Sequence, residues 1–332
     1  MPCESAWDCA AMKPSSKGKR MNRSCFARPL AAATCFSLCR SARVFAGDAS
    51  GAACLSDSRV SVRSEVEIAE AVPRQRMDSS FVLEEVARSE RLWTGVAVSK
   101  TGRIFVNYPR WTGDGGISVA EIAEDSSAKP FPNIEWNQWS ESDDPARRFV
   151  CVQSVYVDDE DDLWVLDPAS PMLRGVVPGG AKLVRIDLST DSVVDRYPLD
   201  SAVAPRGSYL NDVRVDTKRR FAYISESGEG SIVAVDLRTG AARRVLAGHH
   251  SAASEDTVIV VEGVRIAAPV NCDGIALDPK REHLYYQALR GRTLYRISTR
   301  LLRDFETPDA AFTADVGAAC YFFILTFGFS SV

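Results

Sequence analysis

Apolar and polar positions alternate in short runs along most of this chain, and the runs come in groups. The clearest group is the stretch 271–298, NCDGIALDPKREHLYYQALRGRTLYRIS. Ile275 and Leu277 alternate with small or polar neighbours, and Asp278-Pro279-Lys280-Arg281 has turn chemistry. Residues 283–288 are rich in Leu and Tyr, Arg290-Gly291 turns the chain again, and 293–297 alternates once more. The pattern predicts a three-stranded meander. Such a unit is barely stable alone and has to pack on something.

The chain holds related groups at 93–108 (WTGVAVSKTGRIFVNY), 153–167 (QSVYVDDEDDLWVLD) and 211–226 (NDVRVDTKRRFAYISE). Aligned on Gly95, Ser154, Asp212 and Gly274, they recur at spacings of 59, 58 and 62 residues. A near-constant period marks a repeat architecture. Third strands are expected at 181–187, 231–236 and 293–297, and fourth strands at 192–197 and 242–246. Four antiparallel strands per repeat is the pattern of a β-propeller blade. A β-sandwich also spaces its strands evenly, but it does not repeat an aligned pattern at one period. The reading is therefore all-β: a propeller over 56–303, with blades near 92–148, 149–208, 209–270 and 271–303. The strands holding Val96, Val155, Val213 and Ile275 are expected innermost. Residues 81–87 are an expected edge strand, and 124–148 a long connection of the kind that often carries function.

The two ends depart from the repeat. Residues 1–47 carry eight Lys/Arg against Glu4 and Asp8, whereas the whole chain has a net charge of −4. A basic start, the apolar run 29–39 and small residues around Ala46 predict a leader over 1–55, for secretion or alternatively for organelle import. Six of the nine cysteines (Cys3, Cys9, Cys25, Cys35, Cys39, Cys54) fall in it, and no C-x-x-C pair occurs. The remaining body is acidic, which argues against a nucleic-acid partner. No apolar run has the length of a membrane span. After Arg303 the pattern stops. Residues 318–332 (AACYFFILTFGFSSV) read as foreign to the repeat, so 304–332 is expected to be an aberrant tail on a C-terminally truncated product; a closing strand is the alternative.

Several stretches resemble the major royal jelly protein/yellow family. Asn107-Tyr108-Pro109-Arg110-Trp111 is similar to that family's signature at the end of its first blade. Val152-Gln153-Ser154-Val155, Leu163-Trp164-Val165-Leu166-Asp167, Ala181-Lys182-Leu183, Tyr209-Leu210-Asn211-Asp212 and Asp273-Gly274-Ile275-Ala276-Leu277 continue the resemblance in order, over about 81–303. The resemblance implies a secreted propeller of the six-bladed type, of which about four blades are visible here. It also implies links to pigment formation, dopachrome conversion and amine binding.

In a propeller the start of each innermost strand faces the central channel, where residues from several blades can converge on a small ligand. Those positions here are Thr94, Gln153, Asn211 with Asp212, and Asn271 with Asp273. The ligand-binding candidates are Gln153, Asn211, Asp212 and Asp273; the plainer reading is that they cap turns. More distantly, the chain resembles gluconolactonase/regucalcin propellers, which hold a divalent cation at such positions. That resemblance makes Asn211 and Asp273 candidate metal ligands, with calcium as the candidate ion and no organic cofactor expected. Hard cations need more oxygens than these two supply. Trp111, Trp136 and Trp139 either wall an aromatic amine site or pack the long connection. The acidic run 158–162 reads as a solvated turn, and no hydrolase elbow or phosphate loop is present. Three functions stay open: a secreted propeller binding a small aromatic or amine ligand at its channel mouth, an enzyme (a dopachrome-type isomerase or a metal-dependent lactonase), or a non-functional truncated fragment.

Overall fold

A computed structural model of the chain describes residues 85–113, 115–255, 258–261, 264–266 and 268–321. The expected leader, residues 81–84 of the expected edge strand, and 322–332 lie outside the described residues; 85–87 form no strand.

Four sheets follow one another along the chain, each a four-stranded antiparallel meander in sequence order. The first holds β1 (Gly95–Val98), β2 (Ile104–Asn107), β3 (Val119–Ile122) and β4 (Ala128–Pro130). The second holds β5 (Ser154–Val157), β6 (Asp162–Asp167), β7 (Lys182–Asp187) and β8 (Ser192–Pro198). The third holds β9 (Leu210–Asp216), β10 (Phe221–Glu226), β11 (Ser231–Asp236) and β12 (Ala242–Val245). A separate hairpin, β13 (Ile259–Val261) with β14 (Val264–Ile266), leads to the fourth sheet. That sheet holds β15 (Cys272–Leu277), β16 (His283–Ala288), β17 (Thr293–Ser298) and β18 (Gly317–Tyr321).

The first strands of successive sheets touch: β1 meets β5, β5 meets β9, and β9 meets β15. The strands of Val96, Val155, Val213 and Ile275 are thus the inner ones, as their patterns predict. Faces pack on faces between neighbouring sheets, because successive side chains of a strand point to opposite sides. Ala222 and Ile224 join Trp164, Leu166 and Leu183 of the second sheet in one core, while Phe221 and Tyr223 join Ile275, Leu284 and Tyr286 of the fourth in another. A third core sits between the first two sheets, around Phe105, Val119, Leu163 and Val165. Central strands covered on both faces lose polar alternation, and β10 and β11 are buried at every position.

Two segments differ from the sequence expectation. The connection after the first blade is shorter than 124–148, because 128–130 pair with β3 as an outer strand. The rest is tied down by buried Asn137, whose Oδ1 accepts from Ser118 N and Val119 N, and whose Nδ2 donates to Phe131 O and Asn133 O. Residues 304–321, expected outside the propeller, carry a helix at Asp309–Asp315 that buries Phe312, and then β18 on β17. The strand sequence GAACY has no apolar–polar alternation, and a closing strand is only the alternative expectation.

On the edge away from the strand starts, the tight turns clasp blade to blade. Lys100 N donates to Asp161 Oδ1 at 2.7 Å and Thr217 Oγ1 to Asp159 Oδ1 at 2.6 Å. Arg281 pairs with Asp216 at 3.1 Å and also with Asp159. Asp158, within the acidic run expected to be solvated, is buried and accepts from the Trp164 indole at 2.8 Å.

Candidate channel-mouth site

The mouth-level residue of each inner strand is fixed by register. Gln153 stands just ahead of β5, Asn211 is the second residue of β9, and Asp273 the second of β15. Because inner strands touch, these side chains meet. Gln153 Nε2 donates to Asn211 Oδ1 at 2.9 Å. The Asn211 side chain in turn hydrogen-bonds Asp273. Behind Gln153, Tyr209 Oη donates to Gln153 Oε1 at 2.8 Å, and Trp111 Nε1 donates to Tyr209 Oη at 2.6 Å. One chain of donors therefore runs from the first blade to the fourth, from indole to phenol to two amides, and ends on a carboxylate.

Asp273 pairs with no cation among the described residues, and the charge that acts on it is the Asp212 carboxylate. Its surroundings push its pKa up to about 7: burial contributes most, the Asp212 carboxylate adds repulsion, and the Asn211 hydrogen bond partly offsets both. Asp273 is only partly exposed to solvent. Gly274 beside it leaves open space where a side chain would stand. Tyr209 is held as a neutral phenol, its pKa raised chiefly by burial.

The other mouth residues have local duties. Asp212 forms a two-point pair with Arg214, at 2.8 and 2.7 Å, and accepts from Ser154 Oγ at 2.8 Å. That pair is neutral as a unit, which leaves Asp273 as the net charge of the mouth. Thr94 Oγ1 donates to Gln153 O and accepts from Asn107 Nδ2. Asn271 does not join the mouth: its Oδ1 accepts from Ser254 N and its Nδ2 donates to Gly228 O, a loop-capping role.

As a cation cage the arrangement is poor. Asn211 directs its oxygen to Gln153 and its amide N–H to Asp273, so the two candidate metal ligands do not converge as oxygens. No cluster of three or more His, Cys, Asp or Glu side chains suited to a metal occurs among the described residues. What the mouth offers is one carboxylate outside an ion pair, one paired with Arg214, and an amide pair braced by two polar aromatics.

Sequence reasoning named Gln153, Asn211 and Asp273 as candidates and gave Trp111 as a wall of an amine site or as packing, but it assigned nothing to the Tyr209 hydroxyl that joins Trp111 to Gln153. Tyr209 lies three residues before Asp212, just as Asn271 lies three before Gly274, so repeat position alone does not separate a mouth residue from a loop cap. Trp136 packs on Phe149 with ring centroids 5.0 Å apart, in the connection and away from the relay.

Comparison with known proteins places these features in context. A family model described as Major royal jelly protein matches residues 150–317. Protein yellow of Drosophila melanogaster is 25% identical over 219 residues, covering 61% of this chain and 40% of that protein. Major royal jelly protein 7 of Apis mellifera is 22% identical over 180 residues, covering 52% of this chain and 39% of that protein. The chain thus spans about two fifths of the length of these relatives. Among solved structures, a periplasmic gluconolactonase from Pseudomonas aeruginosa is similar with TM-score 0.37 and 19% identity, over 62% of this chain and 53% of that one. A gluconolactonase from Xanthomonas campestris gives TM-score 0.35 and 15% identity, over 64% and 73%.

Proposed function

Since the chain belongs to the major royal jelly protein family, we propose that it is a secreted propeller that binds a small, singly charged ammonium ligand with an aromatic body at the channel mouth. The observation that carries this reading is the donor relay ending on Asp273, a part-buried carboxylate near Asp212 that has no ion pair of its own among the described residues. Such a group is costly to ionise, and an incoming ammonium supplies the missing partner. The Asp212–Arg214 pair cancels its own charge, so one positive charge balances the mouth. Trp111 and Tyr209 stand behind Gln153 and hold the relay that ends on Asp273. The basic leader composition supports export, and no helix among the described residues is long and apolar enough to cross a membrane.

Because the ligand favours ionised Asp273, affinity for an amine rises with pH up to and just past 7, while the amine itself stays protonated. Isothermal titration of the full chain with phenethylamine at pH 5.5, 7 and 8.5 tests this. Asp273→Asn should abolish binding while Asp309→Asn, on a remote helix, leaves it intact. A chelator or added calcium should make no difference. Equal affinity at all three pH values, or binding that survives Asp273→Asn, would overturn the reading; loss of binding on chelation would transfer the site to a divalent cation.

A further inference from the structure

A second concave site lies on the flank of the first blade, under the connection that Asn137 ties down. It has a volume of about 360 Å³, within the range of small-molecule pockets. Ile117, Ile134 and Trp139 form apolar walls, and Ile134 is 53% exposed. The Arg110 guanidinium forms part of the lining, held by the carbonyls of Phe149, Val150, Gly116 and Asn137 at 2.6–3.2 Å. It lies 5.8 Å from the Trp139 ring centroid. Asp143 lines the same pocket, fixed by the Ser140 N–H and hydroxyl, which hold its carboxyl below the usual carboxylate range.

Trp139 carries the decisive feature: its Nε1–H is shut off from water and has no acceptor. A buried donor left unmade costs free energy, and such groups are rare without a reason. Asn137 is saturated and Ser140 is spent on its neighbours. One guanidinium and one carboxylate balance, so the lining favours no net charge.

We propose that this pocket is a second binding site, independent of the channel mouth, for a small uncharged aromatic molecule carrying one hydrogen-bond-accepting oxygen. The apolar body lies against Ile117 and Ile134. The oxygen takes the Trp139 N–H after a small turn of the indole toward the pocket, with the fixed positive charge of Arg110 drawing electron density the same way. Asp143 offsets the pull of Arg110 on a carboxylate, and Arg110 offsets the pull of Asp143 on an amine, so neither charge gains over a neutral ligand. The adjacent residues Arg110 and Trp111 thus serve two different sites.

The test uses the full chain with ¹⁵N-labelled tryptophan and three probes of similar size: acetophenone, benzoate and benzylamine. The Trp139 and Trp111 indole cross-peaks are assigned from Trp139→Phe and Trp111→Phe. Acetophenone should shift the Trp139 peak saturably, with Kd on the order of 1 mM for so small a ligand, and leave Trp111 in place. Benzoate and benzylamine should act on Trp139 at least tenfold more weakly. Ile134→Lys, at an exposed position that tolerates change, should weaken acetophenone at least fivefold. The proposal is overturned if acetophenone leaves Trp139 unmoved, if a charged probe moves it as strongly, or if Ile134→Lys has no effect. Benzylamine moving Trp111 bears only on the channel mouth.

Discussion

Replacing Asp273 by Asn should make the ligand-free protein more stable at alkaline pH and less pH-dependent. In the folded chain the carboxyl titrates near 7, against 3.8 for the unperturbed group. A raised acid pKa means that the folded state holds the proton more tightly than the unfolded chain does. The corresponding stability is fully present below about 4 and is lost as pH rises through about 7. The gap between 3.8 and about 7 corresponds to about 4 kcal/mol. Partial contact with solvent and coupling to Asp212 reduce this, and about 2–4 kcal/mol is the expected range. Asn at 273 stays neutral, so this part of the pH dependence disappears. Urea unfolding of both proteins at pH 4.5, 6, 7 and 8.5 measures it. All other titrating groups are common to the two, so their difference isolates Asp273. Relative to pH 4.5, where about 1 kcal/mol is already lost, the variant should gain about 1–3 kcal/mol on wild type by pH 8.5. Phenethylamine at a hundredfold excess over Kd should then stabilise wild type by about 2.7 kcal/mol and leave the variant unmoved. A stability difference that is flat across pH would refute the argument, because it would mean that Asp273 is already paired in the folded protein.

The remaining predictions concern what holds the site in place. Lys182→Met strands buried Asp167, which Lys182 meets at 2.8 Å, and should cost about 3 kcal/mol; Asp167 also accepts from Val150 N and Cys151 N, so amide exchange just ahead of Gln153 should speed up. Asn137→Ala removes four hydrogen bonds to buried backbone and should cost about 3 kcal/mol in urea unfolding, with faster exchange confined to 117–120 and 131–137. Arg281→Ala unlinks the turns of the second, third and fourth blades; a loss of about 1–2 kcal/mol that shrinks in 1 M salt is expected. Tyr209→Phe breaks the relay at both its bonds, leaving the Trp111 N–H and Gln153 Oε1 unpaired, and should lower amine affinity about tenfold while costing about 1–3 kcal/mol in urea unfolding.

The repeat, the inner strands and the mouth positions could be read along the chain because they rest on local rules. Alternation of side chains tells strand from loop, and turn chemistry marks where strands end. The last turn residue before the second strand shows the same rule in each blade. Gly102, Asp161, Arg220 and Arg281 all adopt positive φ, between 58° and 88°, although only one is glycine. The short strands β3 and β4 were harder, since four and three residues give too little alternation to stand out from a Gly-rich neighbourhood. The strand β18, GAACY, carries no apolar–polar alternation at all.

By itself the sequence determined the all-β class, the four-strand period, the inner position of β1, β5, β9 and β15, and the presence of Gln153, Asn211 and Asp273 at equivalent places in successive repeats. Each of these follows from patterns that span a few residues or one period. Only the tertiary structure decided which polar side chains share a partner. Asn271 and Tyr209 hold the same place in their repeats, yet one caps a loop and the other links Trp111 to Gln153. Asp212 and Asp273 are both acids at the mouth, yet Arg214 neutralises one and leaves the other to end the relay. The physical reason is that hydrogen bonds and ion pairs act over about 3 Å, a range set by how neighbouring blades pack and not by any spacing along the chain.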